Sequence, residues 1–185
     1  AEGRDAILYM GRVLARLEAI GVGLMARPGH PLLGTASLHA STIGGGRELS
    51  VYPDRCCLRF ERRTLTGESP DVALTEVQTA LVELGREDPE FEASVRQLFS
   101  RPAYEIPDDQ PVCRALAQVL RRGGRDATAT GMSFWTDAAI LAQAGTPAVL
   151  FGPRGAGLHG REEFVEIESV LTCRDVLADL ARDFC

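Results

Sequence analysis

The sequence predicts a chain of two parts, an α+β part at residues 1–107 and an α/β part at residues 108–185. In the first part, the spacing of apolar residues predicts the order helix, strand, strand, helix, strand, which is typical of an antiparallel sheet with helices on one face. In the second part, helices alternate with a continuous apolar run of the kind that forms a strand buried on both faces. The boundary falls at the polar segment Pro107-Asp108-Asp109.

The first helix and the two strands after it are predicted from the period of their apolar residues. Between Asp5 and Ile20 the apolar residues recur at helical spacing, and the two glycines that follow are expected to end the helix. Apolar and polar residues then alternate at 32–43 and again at 56–64, which predicts two half-buried strands. With the glycines at 44–46 as a turn, these strands would form an antiparallel hairpin.

The rest of the first part completes a split β-α-β, or ferredoxin-like, arrangement. Ser69-Pro70 is a typical helix start, with Ser as the N-cap and Pro as the first helical residue, and Gly85 is expected to end that helix. Residues 91–106 are expected to contain a third strand. The resulting order corresponds to an antiparallel sheet with two helices that lacks its first strand.

The second part is predicted to contain three helices and one buried strand. The helices are expected at 111–122, 136–144 and 168–184. The strand is the apolar run 148–151, and a glycine-rich loop follows it at 152–160. Ligand sites in α/β sheets lie beyond the carboxyl ends of the strands, so this loop is a candidate location for one.

Charge and cysteine content narrow the classes of partner. The net charge is -6 and the pI is about 5.1. This argues against nucleic acid and anionic membranes, since both select basic surfaces. No apolar stretch reaches the roughly 18 residues of a membrane-spanning helix. The five cysteines are odd in number and show no Cys-x-x-Cys spacing, so we expect reduced thiols in a cytoplasmic protein.

Among the three histidines, His159 is the best candidate for a metal ligand. It lies in the glycine-rich loop after the predicted buried strand, and Glu162 and Glu163 follow it. Their carboxylates could orient the imidazole; alternatively, they are solvated or begin the next segment. His30 lies in a loop and is assigned a structural role, and His39 is expected to be solvated on the polar face of a strand.

Two further places could bind a carboxylate. Arg63 ends the second strand on its polar face, and a guanidinium pairs bidentately with carboxylates. The alternative is a surface charge opposite Glu61 or Glu68. The run Ser133-Phe134-Trp135-Thr136-Asp137 opens a predicted helix whose amides could bind a substrate carboxylate. The alternative is that its tryptophan belongs to the core and its threonine caps the helix.

Three runs of the second part, taken in order, resemble the C-terminal signature of a family of di-zinc hydrolases. They are Gly131-Met132-Ser133-Phe134-Trp135-Thr136-Asp137-Ala138-Ala139, Gly145-Thr146-Pro147-Ala148-Val149-Leu150-Phe151-Gly152-Pro153 and Leu158-His159-Gly160-Arg161-Glu162-Glu163-Phe164-Val165. The family comprises acetylornithine deacetylase, succinyl-diaminopimelate desuccinylase, aminoacylase and carboxypeptidase G. In the first part, the runs at 3–7, 43–46 and 62–68 resemble the family's lid, or dimerisation, domain. The resemblance covers nearly the whole chain.

The resemblance implies that residues 1–107 are the lid domain without its first strand. Residues 108–185 would be the C-terminal portion of a zinc-exopeptidase catalytic domain. His159 matches the family's last zinc ligand, and Arg63 matches a lid arginine that pairs with the substrate carboxylate. Ser50 stands where the family often has asparagine in an Asn-Val-x-Pro run, and Ser133 and Trp135 match a loop near that carboxylate. The family's other ligands and its catalytic glutamate lie upstream of the lid.

The function implied by the resemblance is metal-dependent hydrolysis of amide bonds in N-acyl amino acids or small peptides. The intact enzyme would hold two zinc ions (cobalt or manganese would also suit), act on a small molecule with a free carboxylate and form a homodimer through the lid. This chain alone would be inactive, because catalytic zinc sites use three or more protein ligands. One alternative is a non-catalytic dimerisation or binding module. Another is a small-ligand regulatory domain of the split β-α-β type.

Overall fold

The computed structural model describes residues 3–184, which fall into two compact units, 1–103 and 104–185. The sequence places its boundary after residue 107, four residues further along. Unit 1 contains two helices and two strands: α1 (Ala6–Met25), β1 (Ser37–Gly45), β2 (Cys56–Arg63) and α2 (Val72–Glu87). None of the helices within residues 3–184 has the length and apolar character that a membrane crossing requires.

Helix α1 begins as predicted but runs past the glycines that were expected to end it. The Asp5 carboxylate caps its start, accepting hydrogen bonds from the backbone N–H groups of Ile7 and Leu8 at 2.9 and 3.0 Å. Gly21 and Gly23 each cost the helix about 1 kcal/mol relative to Ala. Leu24, which is fully buried, outweighs this cost by burying one more turn. In α2 the helix likewise continues through the glycine at 85 to Glu87.

The two strands of unit 1 form the predicted antiparallel hairpin, with pairing from Ser37↔Arg63 to Gly45↔Cys56. A β-bulge interrupts the register between Ala40 and Thr42. Strand β1 begins later than predicted, because residues 30–34 form a turn closed by two backbone hydrogen bonds. It also incorporates two of the glycines that were assigned to the turn, so the connection is the longer loop 46–55.

The core of unit 1 lies between the two helices and the inner face of the hairpin. Its buried members are Val13, Leu17, Val77, Leu84 and Phe91. On β2, the inward positions carry Leu58 and Phe60, which pack against this cluster as the alternation predicted.

The third strand predicted for unit 1 is wrong, since residues 92–106 contain no strand. Phe91 and Val95 contact the core, but Ala93, which a strand would place on the same face, is exposed. Leu98 and Phe99 are 60% and 76% exposed, so no alternating face is buried. The segment has the composition of a strand but makes no ladder with the hairpin.

Unit 2 contains three helices and a short two-stranded ladder: α3 (Pro111–Arg122), α4 (Ala138–Gln143), β3 (Gly155–Ala156), β4 (Phe164–Val165) and α5 (Ile167–Phe184). The prediction for α3 is confirmed at both ends, and those for the other two helices are confirmed within two residues at each end. Helices α3 and α5 enclose a core of Leu116, Val119, Leu120 and Val176.

The buried strand predicted at 148–151 is also wrong. Val149 and Phe151 contact the α3–α5 core, but Leu150 is 43% exposed and the segment pairs with no strand. The Tyr104 hydroxyl makes hydrogen bonds to the backbone of this segment that a neighbouring strand would otherwise make. It donates to the Ala148 carbonyl at 2.7 Å and accepts from the Ala148 N–H at 3.2 Å. The apolar run therefore indicated burial correctly but not pairing, and the described part of unit 2 contains no parallel sheet.

Candidate functional site

His159 lies in the loop 157–163, which connects β3 to β4. Its φ is 62°, the one positive φ of a non-glycine residue within 3–184. Histidine is among the residues that tolerate this left-handed region, at some cost in strain. Gly157, at φ 76°, closes the loop so tightly that a Cβ there would collide with the Glu162 carbonyl. The loop thus presents an exposed imidazole on a constrained backbone.

Of the two acids after His159, Glu163 contacts the loop through its side chain. A Glu163 carboxylate oxygen accepts a hydrogen bond from the His159 backbone N–H at 3.2 Å. This contact supports the loop conformation and does not involve the ring. No group of three or more His, Cys, Asp or Glu side chains within residues 3–184 is arranged to hold a metal ion. Within the described residues, His159 is therefore not part of a three-ligand group of the kind that catalytic zinc sites use.

Arg63 is the last residue of β2 and projects from the outer face of the hairpin. Its guanidinium pairs with the Glu61 carboxylate at 2.7 Å, which is one of the surface pairs that the sequence left open. Both side chains are about half exposed, at 53% and 52%. An ion pair this exposed stabilises a protein by about 0.2–1 kcal/mol. The Arg63–Glu61 pair therefore contributes little to the stability of the hairpin.

Arg62, the neighbour of Arg63, is the residue that the sequence interpretation missed. Its side chain is only 1% exposed. It donates to both carboxylate oxygens of Glu68, at 2.6 and 3.2 Å, and to Glu76 at 3.1 Å. Arg27 binds the other oxygen of Glu76 at 3.0 Å. Two arginines and two glutamates thus form a neutral network between the hairpin and the helices.

Ionisation in this network is set by pairing rather than by burial. Burial alone would raise the pKa of Glu68, but hydrogen bonds from Arg62 and from the Leu65 N–H outweigh it and leave the pKa below its ordinary value. Burial would likewise lower the pKa of Arg62, yet its bonds to Glu68 and Glu76 raise it. The alternation of β2 was the available signal, since Arg62 follows Leu58 and Phe60 at inward positions.

In unit 1, the candidates Ser50 and Arg63 lie far apart. Ser50 is exposed in the loop 46–55, at the Cys56 end of β2, whereas Arg63 is at the opposite end. Seven residue steps of a strand separate the two ends by about 23 Å. The structure therefore does not bring Ser50 and Arg63 together.

The segment before α4 is accessible. Ser133 is exposed and Trp135 is 38% exposed, so the alternative that placed the tryptophan in the core is wrong. The Thr136 hydroxyl accepts a long hydrogen bond of 3.4 Å from the Ala138 N–H, but the N-cap of α4 is Asp137, whose side chain makes no capping hydrogen bond. Helix α4 has only six residues, so its amides are a modest attraction for an anion.

Comparison with known proteins places these features in a family. A model of "Peptidase family M20/M25/M40" matches residues 5–183. Acetylornithine deacetylase of Myxococcus xanthus is 30% identical over 188 residues, which cover 99% of this chain and 48% of that protein. N-formyl-4-amino-5-aminomethyl-2-methylpyrimidine deformylase of Bacillus subtilis is 24% identical over 199 residues, 99% of this chain and 47% of that protein. The chain spans about half the length of these relatives.

Solved structures show the same fold. The aminopeptidase PepT of Bacillus cereus matches 95% of this chain and 44% of its own, with a TM-score of 0.70 at 16% identity. A tripeptidase of Staphylococcus aureus matches 90% of this chain and 44% of its own, with a TM-score of 0.64 at 19% identity. The family model covers almost every described residue, from the cap of α1 to the end of α5, and includes both the hairpin of Arg63 and the loop of His159. The chain therefore belongs to peptidase family M20/M25/M40.

Proposed function

We propose that this chain is part of a metal-dependent hydrolase that cleaves amide bonds in N-acyl amino acids or small peptides. Residues 1–107 would be its lid and dimerisation domain, and residues 108–185 the C-terminal segment of its catalytic domain. The observation that carries the proposal is the alignment of 99% of the chain with an acetylornithine deacetylase. Since the chain spans 48% of that relative, the remaining machinery would come from residues outside this sequence.

In this proposal His159 supplies one ligand of a two-zinc centre, or of one that holds cobalt or manganese. The strained loop supports that role, because a constrained backbone holds an exposed imidazole ready for a metal. When bound, the metal would polarise the amide carbonyl and activate water. No other described residue is assigned to the centre, and the 185-residue chain alone is expected to be inactive.

Arg63 would bind the free carboxylate of the substrate. Its support is the half-exposed guanidinium at the rim of the hairpin, which pairs with a half-exposed glutamate. Ser50, Ser133 and Trp135 are proposed as further substrate contacts, and all three are exposed. Ser50 would contact a different part of the substrate from Arg63, given the separation along β2.

A homodimer through the lid and a cytoplasmic location complete the proposal. Within residues 3–184, β1 and β2 pair only with each other, so each has an edge that could pair with a partner strand. The four described cysteines carry free thiols, which suits a reducing compartment. Light scattering on the purified protein would test the dimer directly.

The metal role is tested by zinc analysis and hydrolysis of N-acetyl-L-ornithine. The complete enzyme should bind about two zinc ions, and His159→Ala should lose about one of them together with activity. His39→Ala is the matched control and should keep both. Unchanged zinc in His159→Ala would refute the ligand assignment.

The length of the active molecule separates this proposal from a non-catalytic dimerisation or binding module. A purified protein with the 20.0 kDa mass of this chain, without bound metal and without hydrolysis, would favour the module. A larger protein with zinc and activity would favour the hydrolase. Arg63→Ala should raise KM for substrates with a free carboxylate while zinc content stays unchanged, and an unchanged KM would refute the role of Arg63.

A further inference from the structure

Arg62 occupies a position where the fold calls for an apolar side chain. Residues of β2 alternate between half-buried and exposed, and the half-buried series runs through Leu58 and Phe60 to Arg62. A guanidinium there must leave water, which costs several kcal/mol unless its donors are satisfied. The four hydrogen bonds of Arg62 engage all three of its nitrogens and four of its five N–H donors.

The fourth of these hydrogen bonds connects the network to the candidate substrate-binding residue. A terminal nitrogen of Arg62 donates to the backbone carbonyl of Arg63 at 2.6 Å. Arg63 is the last residue of the strand, so beyond it no ladder fixes the backbone. The same Arg62 guanidinium therefore holds the peptide that follows the outward-facing arginine.

The network also fixes the turn that leaves the strand. One Glu68 carboxylate oxygen accepts from Arg62 and from the Leu65 N–H at 2.7 Å. The other oxygen completes the bidentate pair with Arg62. Glu76 connects the arrangement to α2, and Arg27 extends it to the residues just after α1. The backbone on the C-terminal side of Arg63 is thus connected to α2 and to the segment that follows α1.

We infer that Arg62 is a positioning residue for carboxylate recognition. It clamps the Arg63 carbonyl and the 64–68 turn from the buried side of the hairpin, so that the Arg63 guanidinium is held on the opposite side to receive a substrate carboxylate. This rests on the proposed role of Arg63. Adjacent residues of a strand project to opposite faces, so Arg62 acts without touching the substrate. Lysine cannot replace it, because an ammonium lacks the planar fork that binds two carboxylates and a carbonyl together.

The test is steady-state kinetics of the complete hydrolase with a matched pair of substrates, N-acetyl-L-ornithine and its carboxamide, which lacks the free carboxylate. Arg62→Lys should raise KM for the carboxylate substrate about tenfold and leave kcat within about twofold. The carboxamide should be affected little, so the preference for a free carboxylate should fall about tenfold. Arg12→Lys is the matched control. It alters another arginine–carboxylate pair of the unit, with Asp88 at 2.6 Å, and should leave the preference unchanged.

A double-mutant cycle separates positioning from simple stabilisation. If Arg62 acts through Arg63, then Arg62→Lys should have no further effect on KM once Arg63→Ala is present. An equal effect in both backgrounds, or an equal loss with both substrates, would overturn the inference. Arg63→Ala without any loss of preference would instead refute the proposed role of Arg63. If Arg62→Lys does not fold, Glu68→Gln, which removes the charge but keeps one acceptor, is measured in the same cycle with the same criteria.

Discussion

The network of Arg27, Arg62, Glu68 and Glu76 predicts that unit 1 loses stability in acid. Glu68 accepts three hydrogen bonds, two from a guanidinium that is 1% exposed and one from a backbone amide. Removing one partner of a buried pair costs about 3–5 kcal/mol. Because the Glu68 side chain is 21% exposed, we take the lower end and expect Glu68→Gln to cost about 3 kcal/mol near neutral pH.

The sign of the pH dependence follows from the lowered pKa of Glu68. A carboxylate whose folded-state pKa is depressed contributes its full stability above the unfolded value of about 4.3, and that contribution is lost as the pH falls through the folded-state pKa. The difference in free energy of unfolding between wild type and Glu68→Gln should therefore be constant at higher pH and decrease progressively below about pH 4.3.

The assay is urea unfolding from about pH 7 to about pH 3, observed through the amide NMR signals of α1 and α2. Fluorescence would not serve, because the single tryptophan, Trp135, belongs to unit 2. Asp54→Asn is the control, since the Arg47–Asp54 pair is 77% and 62% exposed and should contribute less than about 1 kcal/mol. A Glu68→Gln penalty that stays the same across the whole pH range would refute the reasoning.

Three further predictions concern unit 2. Val176→Ala, at a site 1% exposed, should lower the free energy of unfolding by about 2 kcal/mol in urea titrations, whereas Val170→Ala, 41% exposed on the same helix, should change it by less than about 0.5 kcal/mol. In the same assay, Gly157→Ala should lower the free energy of unfolding more than Gly145→Ala does. Both glycines have a positive φ, but only at position 157 would a Cβ collide with backbone atoms. Equal losses in the two variants would contradict this steric argument. His159→Gly should be more stable than His159→Ala by about 1 kcal/mol, since glycine accepts the left-handed φ, and both should lose the same zinc from the complete enzyme. Zinc retained in the glycine variant would show that the backbone, not the imidazole, determines binding.

Periodic patterns in the sequence predicted the helices and strands that depend mainly on residues close together in the chain. Alternation of apolar and polar residues located β2 and its antiparallel partner, and helical spacing located α3 at both ends. Helix ends were predicted less well, because burial of Leu24 outweighs the cost of two glycines. Helix propensity assigns each such glycine a fixed free-energy cost. Only the packing of the folded protein shows which buried side chain compensates for that cost.

Pairing between distant segments could not be predicted from the same patterns. The run 148–151 is apolar as a buried strand would be, but its backbone groups at Ala148 are satisfied by the hydroxyl of Tyr104, which lies 44 residues earlier. Hydrogen-bond partners at that separation leave no periodic signal. Segment 92–106 shows the same limit, since its composition favours a strand that has no ladder in the described structure.

Candidate site residues were predicted only where the residue type itself indicates a function. A loop histidine and a strand-end arginine can be identified by type and position, and the family resemblance assigned roles to both. Arg62 could not be identified by residue type, because Arg59 and Arg63 are also arginines; only its inward position in the alternation of β2 separated it from them. What distinguishes Arg62 is its pair of carboxylate partners, 6 and 14 residues further along.

Replacing the whole buried network with apolar residues tests whether it serves stability or carboxylate recognition. Such replacements of buried ion pairs are often neutral or stabilising, so stability alone is a weak reason for keeping a guanidinium at an inward position of β2. The variant Arg62→Met/Glu68→Leu/Glu76→Leu should therefore unfold within about 1 kcal/mol of wild type at neutral pH, with Arg27, 55% exposed, left solvated. The same variant should lose most of its preference for a free carboxylate over a carboxamide, because the hydrogen bond from Arg62 to the Arg63 carbonyl would be absent. If the variant instead loses about 3 kcal/mol or more while the preference persists, the network serves the fold and not the site.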